Sequence, residues 1–478
     1  MSEISLGGDD RPRPRVFSLA IHQACMKANT RSGSPVFRRV RLGIAATCCL
    51  GLLGPLAACS ASMPGQAGAP TATPGQVALP RPEAGLVTRD RYAGHVEPDV
   101  AVNPRHPQDL LGACIFEVGS RIQRPGTFAS FDGARSWTDN EVLPLPAGYE
   151  MGADTTVAFD GSGTGYVVAF VSHGGGGYAS RVSRGGIFLW RTTDGGRSFS
   201  PPVRVYAGPG FQDHPWLATS QYSPASLFIA WTNPNGLEFA VSRDGAAAFS
   251  APHLVVPGSA PANPVVTVGV TGTVHIFYEE LSRPGQPIRL FVVSSADDGR
   301  SFTSAELIGS ATWPPSAGGG PKGNTNIPPP LLSAVTDTGS DRSAVAISGR
   351  DPQAGHPIIY LWQSTDASGG WQGPGRPLSG TAAAATQVQP RMIYINHRLY
   401  ISYFAITRSG QITEQLVHQT AAGDFQPQPL NSAPFSAGGF IGDYQALASN
   451  GQTAYALWND AESGRLEIVA RTFSASQG

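Results

Sequence analysis

Residues 192–199 read TTDGGRSF, and residues 295–302 read SADDGRSF. One pattern, Ser/Thr-x-Asp-x-Gly-x-Ser-Phe, written twice with different surroundings marks a chain assembled from repeating units. Looser copies are SFDGARSW (130–137), SRDGAAAF (242–249) and STDASGGW (364–371). The aspartates of the five copies are Asp132, Asp194, Asp244, Asp297 and Asp366.

A longer unit recurs around these copies. It opens with a strand led by polar residues, turns into an apolar strand, and then sends a third strand into the Asp-bearing segment. The leading strands are EPDVAV (97–102), ADTTVAF (153–159), DHPWLAT (213–219), ANPVVTV (262–268), PPPLLSAV (328–335), QPRMIYI (389–395) and GDYQALAS (442–449). Alternation of apolar and polar positions, with many β-branched residues, reads as strand. The units recur at about fifty to sixty-five residues, the length of one four-stranded blade with its loops. The expected fold is therefore all-β, a propeller of four-stranded blades, seven by the count of leading strands and six if one unit is an insertion. The last unit stops after LEIVARTF (466–473), so its outer strand is expected from GLVTRDRYA (85–93), which closes the ring.

Composition agrees with a turn-rich β protein: 58 Gly and 41 Pro, with only 14% charged residues. The Asp of each copy suits a tight turn, because its carboxylate accepts bonds from nearby backbone N–H groups. The following Gly permits the bend, and the terminal aromatic packs between sheets. These aspartates are thus expected to be structural.

The N-terminal segment has a different character. Arg38, Arg39 and Arg41 precede an apolar run that ends in Leu-Ala-Ala-Cys at 56–59. That is a signal-peptide layout, and its ending resembles a bacterial lipobox with Cys59 as the lipidated residue. The expected organisation is a leader at 1–58, a Pro/Gly/Ala-rich tether at 59–84 and the propeller at 85–478. The expected location is the bacterial cell envelope, outside the cytoplasm, held to the membrane by the lipid anchor or secreted. Of 33 basic and 34 acidic residues, 8 and 3 lie in 1–58, leaving 25 against 31, a net charge of −6. That balance disfavours a nucleic-acid partner. Four of the five cysteines are Cys25, Cys48, Cys49 and Cys59, so Cys114 stands alone and reads as a small buried hydrophobe.

The Asp-bearing repeat closely resembles the Asp box, or BNR repeat, of sialidase-type β-propellers, over most of residues 90–475. The resemblance places these turns away from the active site and places ligands at the mouth of the central channel, where the leading strands begin. The polar residues there are Glu97, Asp99, Asp154, Asp213, His214, Asn263, Asn326, Arg391, Asp443 and Tyr444, with Glu279, Glu280 and Arg350 at the ends of second strands. A hydrolytic member would use a Tyr–Glu nucleophile pair, an Asp acid/base and three arginines on the substrate carboxylate. By residue type, Tyr444, Glu279 or Glu280, and Asp99 or Asp154 match the catalytic roles, and Arg350 and Arg391 match two of the clamps. The family's Phe/Tyr-Arg-Ile-Pro motif is not matched: the nearest segment, SRIQRP (120–125), has Gln after Arg121-Ile122. A mouth rich in acids repels a sialic-acid carboxylate. The expectation is binding of a glycan or protein ligand by a monomeric propeller, ahead of sialidase-type hydrolysis, with no metal and no cofactor.

Overall fold

A computed structural model of the chain describes residues 85–475, apart from 120–121, 139–140, 175–181, 283–284, 314–329, 372, 379–384, 431–433 and 437–439. The expected leader, Cys59 and the tether lie outside the described residues, as do Arg121 and Asn326.

All seven sheets of the described residues are four-stranded and antiparallel, and each is one blade. The innermost strands are His95–Val102, Met151–Phe159, Asp213–Thr219, Pro261–Val268, Ser333–Thr336, Thr386–Ile395 and Ala446–Ser449, which number the blades 1 to 7. They touch in cyclic order, blade 7 returning to blade 1, so the sheets form a closed ring of seven blades.

The core lies between facing sheets. One cluster joins Val96 and Ile115 of blade 1 to Val168 and Leu189 of blade 2 and to Ile229 and Trp231 of blade 3. Trp190, Trp231 and Trp458 are among the largest fully buried side chains. Burying one large apolar side chain contributes about 2–3 kcal/mol, so the packed faces dominate the stability of the ring.

Closure comes from the N-terminal end. The strand Gly85–Leu86 pairs with the third strand of blade 7, Gly85 opposite Ala470 and Leu86 opposite Val469. Behind this short pairing lies a buried polar cluster. Thr88 Oγ1 donates to Glu467 Oε2 at 2.7 Å, and the ring nitrogens of His95 lie 3.0 Å from Asp90 Oδ2 and from Glu467 Oε2. Arg465 Nη2 reaches Glu467 Oε1 at 2.5 Å.

The Asp-bearing turns follow the third strands, at the opposite end of each blade from the start of the inner strands. In the turn at Asp194, Thr192 Oγ1 and Ser198 Oγ donate to the two carboxylate oxygens at 2.8 and 2.5 Å. The N–H groups of Arg197 and Ser198 donate to Asp194 Oδ1, and Arg197 Nη1 donates to its carbonyl. Burial pushes the Asp194 carboxyl up, but these bonds outweigh it and hold the carboxyl at about 2. The turns at Asp132 and Asp297 repeat the same bonds. Asp244 accepts from Ser242 and from the N–H of Ala248, but Ala247 and Ala248 stand where the others have Arg and Ser. At Asp366 the Ser364 hydroxyl donates to the aspartate's carbonyl, a different turn.

Candidate functional site

The inner strands carry a shared irregularity at their first residues. In blades 1, 2, 3, 4 and 6 the register slips there, and one polar residue takes a left-handed backbone: Glu97 (φ 61°), Asp154 (52°), His214 (45°), Asn263 (51°) and Gln389 (54°). A non-glycine residue in this conformation costs on the order of 1 kcal/mol or more. Pro98, Pro215, Pro264 and Pro390 follow four of the five. Proline lacks the ladder N–H, so it fits the unpaired position of a bulge. In blade 7 the left-handed residue is Gly442 (φ 78°), directly before Asp443 and Tyr444. The bulges re-aim side chains out of the sheets and toward the channel mouth.

Side chains from separate blades meet there. Asp443 N–H donates to Glu97 Oε1 at 3.2 Å, and Tyr444 OH donates to the Thr155 carbonyl at 3.3 Å. The rings of His214 and Tyr444 lie 6.2 Å apart. Arg391 Nη2 donates to Asp99 Oδ1 at 2.8 Å, and its guanidinium stacks 4.5 Å from the Trp216 ring. Asp99 Oδ2 accepts from Val157 N–H, tying blade 1 to blade 2. Glu279 ties blade 4 to the next blade, accepting from Asn263 Nδ2 at 2.5 Å and from Leu332 N–H at 2.9 Å.

The electrostatics of the mouth follow from burying several acids together. Burial, joined by repulsion from Asp443, Asp154 and Asp213, pushes the Glu97 carboxyl well up. Burial and the neighbouring charges of Glu97, Asp154, Asp99 and Asp443 likewise push the Tyr444 phenol well up. Burial pulls the His214 imidazole down, but Asp213, Asp154, Asp443 and Glu279 overcome it and the group is raised. Burial raises Asp99 against the pull of Arg391. Burial lifts Glu279 to about 8, against the bonds from Asn263 and Leu332.

Of the residues singled out in the sequence, Glu97, Asp99, Asp154, Asp213, His214, Asp443, Tyr444 and Arg391 belong to this cluster. Asn263 and Glu279 sit at its blade 4 side. Glu280 is apart, paired with Arg289, and Arg350 is exposed at the end of its strand. Gln389 was not singled out; Arg391, two residues on, was. The Gln-Pro pair, set beside Glu-Pro, His-Pro and Asn-Pro, is the signal that finds it. Trp216 and the buried Gln445 had no comparable signal. A separate cleft of about 500 Å³ lies between blades 2 and 3 at the far end, lined by Asp160, Tyr166, Arg191 and Asp244 among others. It touches none of the mouth residues. Among the described residues no group of three His, Cys, Asp or Glu is arranged to hold a metal ion.

No protein-family profile matches this chain, and no curated protein does. Among solved structures, it is similar to a protein of unknown function from Dyadobacter fermentans, with 14% identity over 73% of this chain and 98% of that one and a TM-score of 0.46. It is also similar to an α-L-arabinofuranosidase from Fusarium graminearum, with 12% identity, 83% and 99% covered and a TM-score of 0.48. An intramolecular trans-sialidase from Ruminococcus gnavus gives 12% identity, 81% and 97% covered and a TM-score of 0.41. The sheet topology itself, and not these overlaps, establishes the seven-bladed propeller.

Proposed function

We propose that this chain is a binding propeller that holds a hydroxyl-rich glycan at the acidic mouth of its channel, at the cell envelope and tethered through Cys59. One observation carries the reading: bulges in five blades aim polar side chains at one end of the channel. Carboxylates are strong acceptors for sugar hydroxyls, amides both donate and accept, and the Tyr444 ring offers an apolar edge. A carboxylate-bearing sugar is disfavoured, because Arg391 is committed to Asp99 and Arg350 stands exposed at the end of its strand. The test is a glycan array with the full chain, beside hydrolysis of an aryl α-sialoside. Capture of non-acidic glycans without sialoside turnover is the expected result. Capture of sialylated glycans alone contradicts it.

Glycoside hydrolysis is the second reading, and one observation favours it. Burial and the acids beside it, among them Asp154, push the Glu97 carboxyl well above its ordinary range. A carboxyl raised in this way beside a second carboxyl is the acid/base arrangement of many glycosidases. The roles expected for a sialidase fit less well. The raised Tyr444 phenol is a poor nucleophile, and Glu279, with no solvent exposure, is engaged in joining blades. Turnover of aryl glycosides lost in Glu97→Gln would decide for hydrolysis.

A further inference from the structure

Acids outnumber cations at the mouth. Glu97, Asp99, Asp154, Asp213, Asp443 and Glu279 come from five blades, and the cations facing them are Arg391 and His214. Arg391 is already paired. Asp154 is only 2% exposed, and among the described residues neither of its carboxylate oxygens accepts a hydrogen bond. Glu97 Oε2, on a side chain also 2% exposed, is in the same position. A buried carboxylate without donors opposes folding. The fold adds the left-handed backbone at Asp154 to that cost. Strain and an unmet charge at one residue, aimed at one channel, mark a place that a ligand completes.

The shape of the demand is specific. Asp154 and Glu97 come from neighbouring blades and lie close enough for one charge to act on the other, which suits a compact group with three donors rather than a planar fork. Asn263 and Gln389 stand at the same bulge position in blades 4 and 6, and their amide NH2 groups donate to Glu279 and to the Gly442 carbonyl. We propose that the mouth takes a primary ammonium carried by an amino sugar whose nitrogen is not acetylated, with Asp154 and Glu97 Oε2 as its acceptors. This rests on the glycan-binding reading above and narrows it to a basic sugar.

The test is calorimetric titration of the full chain with four probes: a glucosamine trimer, its N-acetylated form, a glucose trimer and lysine amide. The glucosamine trimer is expected to bind at least about tenfold more tightly than the N-acetylated trimer, since a buried charge pair is worth more than that. Asp154→Asn is expected to erase the difference, with Glu97→Gln as the second variant should the first fail to fold. Equal affinity for the free and acetylated trimers overturns the ammonium while leaving glycan binding standing. Lysine amide binding as tightly as the glucosamine trimer overturns the sugar as its carrier. Binding of no sugar at all overturns both readings.

Discussion

Arg391 of blade 6 holds Asp99 of blade 1, 292 residues away, through an Nη2–Oδ1 contact of 2.8 Å, with its guanidinium stacked on Trp216 of blade 3. One side chain therefore braces three blades around the channel. Arg391→Met strands a buried carboxylate and is expected to cost about 3 kcal/mol. The double variant Arg391→Met/Asp99→Asn is expected to lose clearly less than the sum of the two single losses. Urea unfolding of the four proteins checks this, and strict additivity would remove the brace from the account.

Glu279 makes a prediction with a definite sign. Its carboxyl is raised from 4.5 to about 8 on folding. Between those values the unfolded chain is ionised and the folded chain is not, so rising pH draws the equilibrium toward unfolding. The loss approaches about 1.4 kcal/mol per pH unit and ends above pH 8. Glu279→Gln keeps a neutral side chain that can still accept from Leu332 N–H. The variant should match the parent near pH 4.5 and be more stable than it at pH 8. Parallel stability curves for the two proteins would contradict this.

The ring was legible in the sequence because the blades write the same period-two strands and four of them end the third strand in one kind of Asp-bearing turn. Even the closing segment at 85–93 was legible, since the last unit lacked a fourth strand. The site was legible only in part. Polar residues at the start of each inner strand mark the mouth, but pairings such as Arg391 with Asp99 join positions almost three hundred residues apart, which local pattern does not encode. The same limit hid Trp216. Glu279 and Glu280 are adjacent and alike in sequence. Opposite faces of one strand send the first to a blade junction and the second to Arg289.

The Asp-bearing turns predict a position-dependent effect. Gly196 has φ 101°, and an added Cβ would lie 3.0 Å from Leu111 Cδ1 and 3.2 Å from Ala129 Cβ. Gly196→Ala should lower stability by about 1–3 kcal/mol. The equivalent residue in blade 3 is already Ala246, at φ 70°. Ala246→Gly should therefore be neutral or stabilising by up to about 1 kcal/mol. Thermal unfolding of both variants decides, and equal losses would contradict the turn geometry.

Ring closure depends on Glu467, which accepts from Thr88 and contacts His95 and Arg465 while only 2% exposed. Glu467→Ala should cost about 3 kcal/mol and should open the ring at one place. Hydrogen exchange is expected to rise first in residues 85–95 and in blade 7. A uniform rise across all blades would place the weak point elsewhere.

The central claim is that the acidic mouth is the binding site. Its most direct measurement is a glycan array probed in parallel with the full chain and with Asp154→Asn. The account predicts capture of basic or neutral glycans by the parent, no capture of sialylated ones, and loss of the signal for basic glycans in the variant. Capture patterns that are identical for the two proteins would show that the ligand binds elsewhere on the ring.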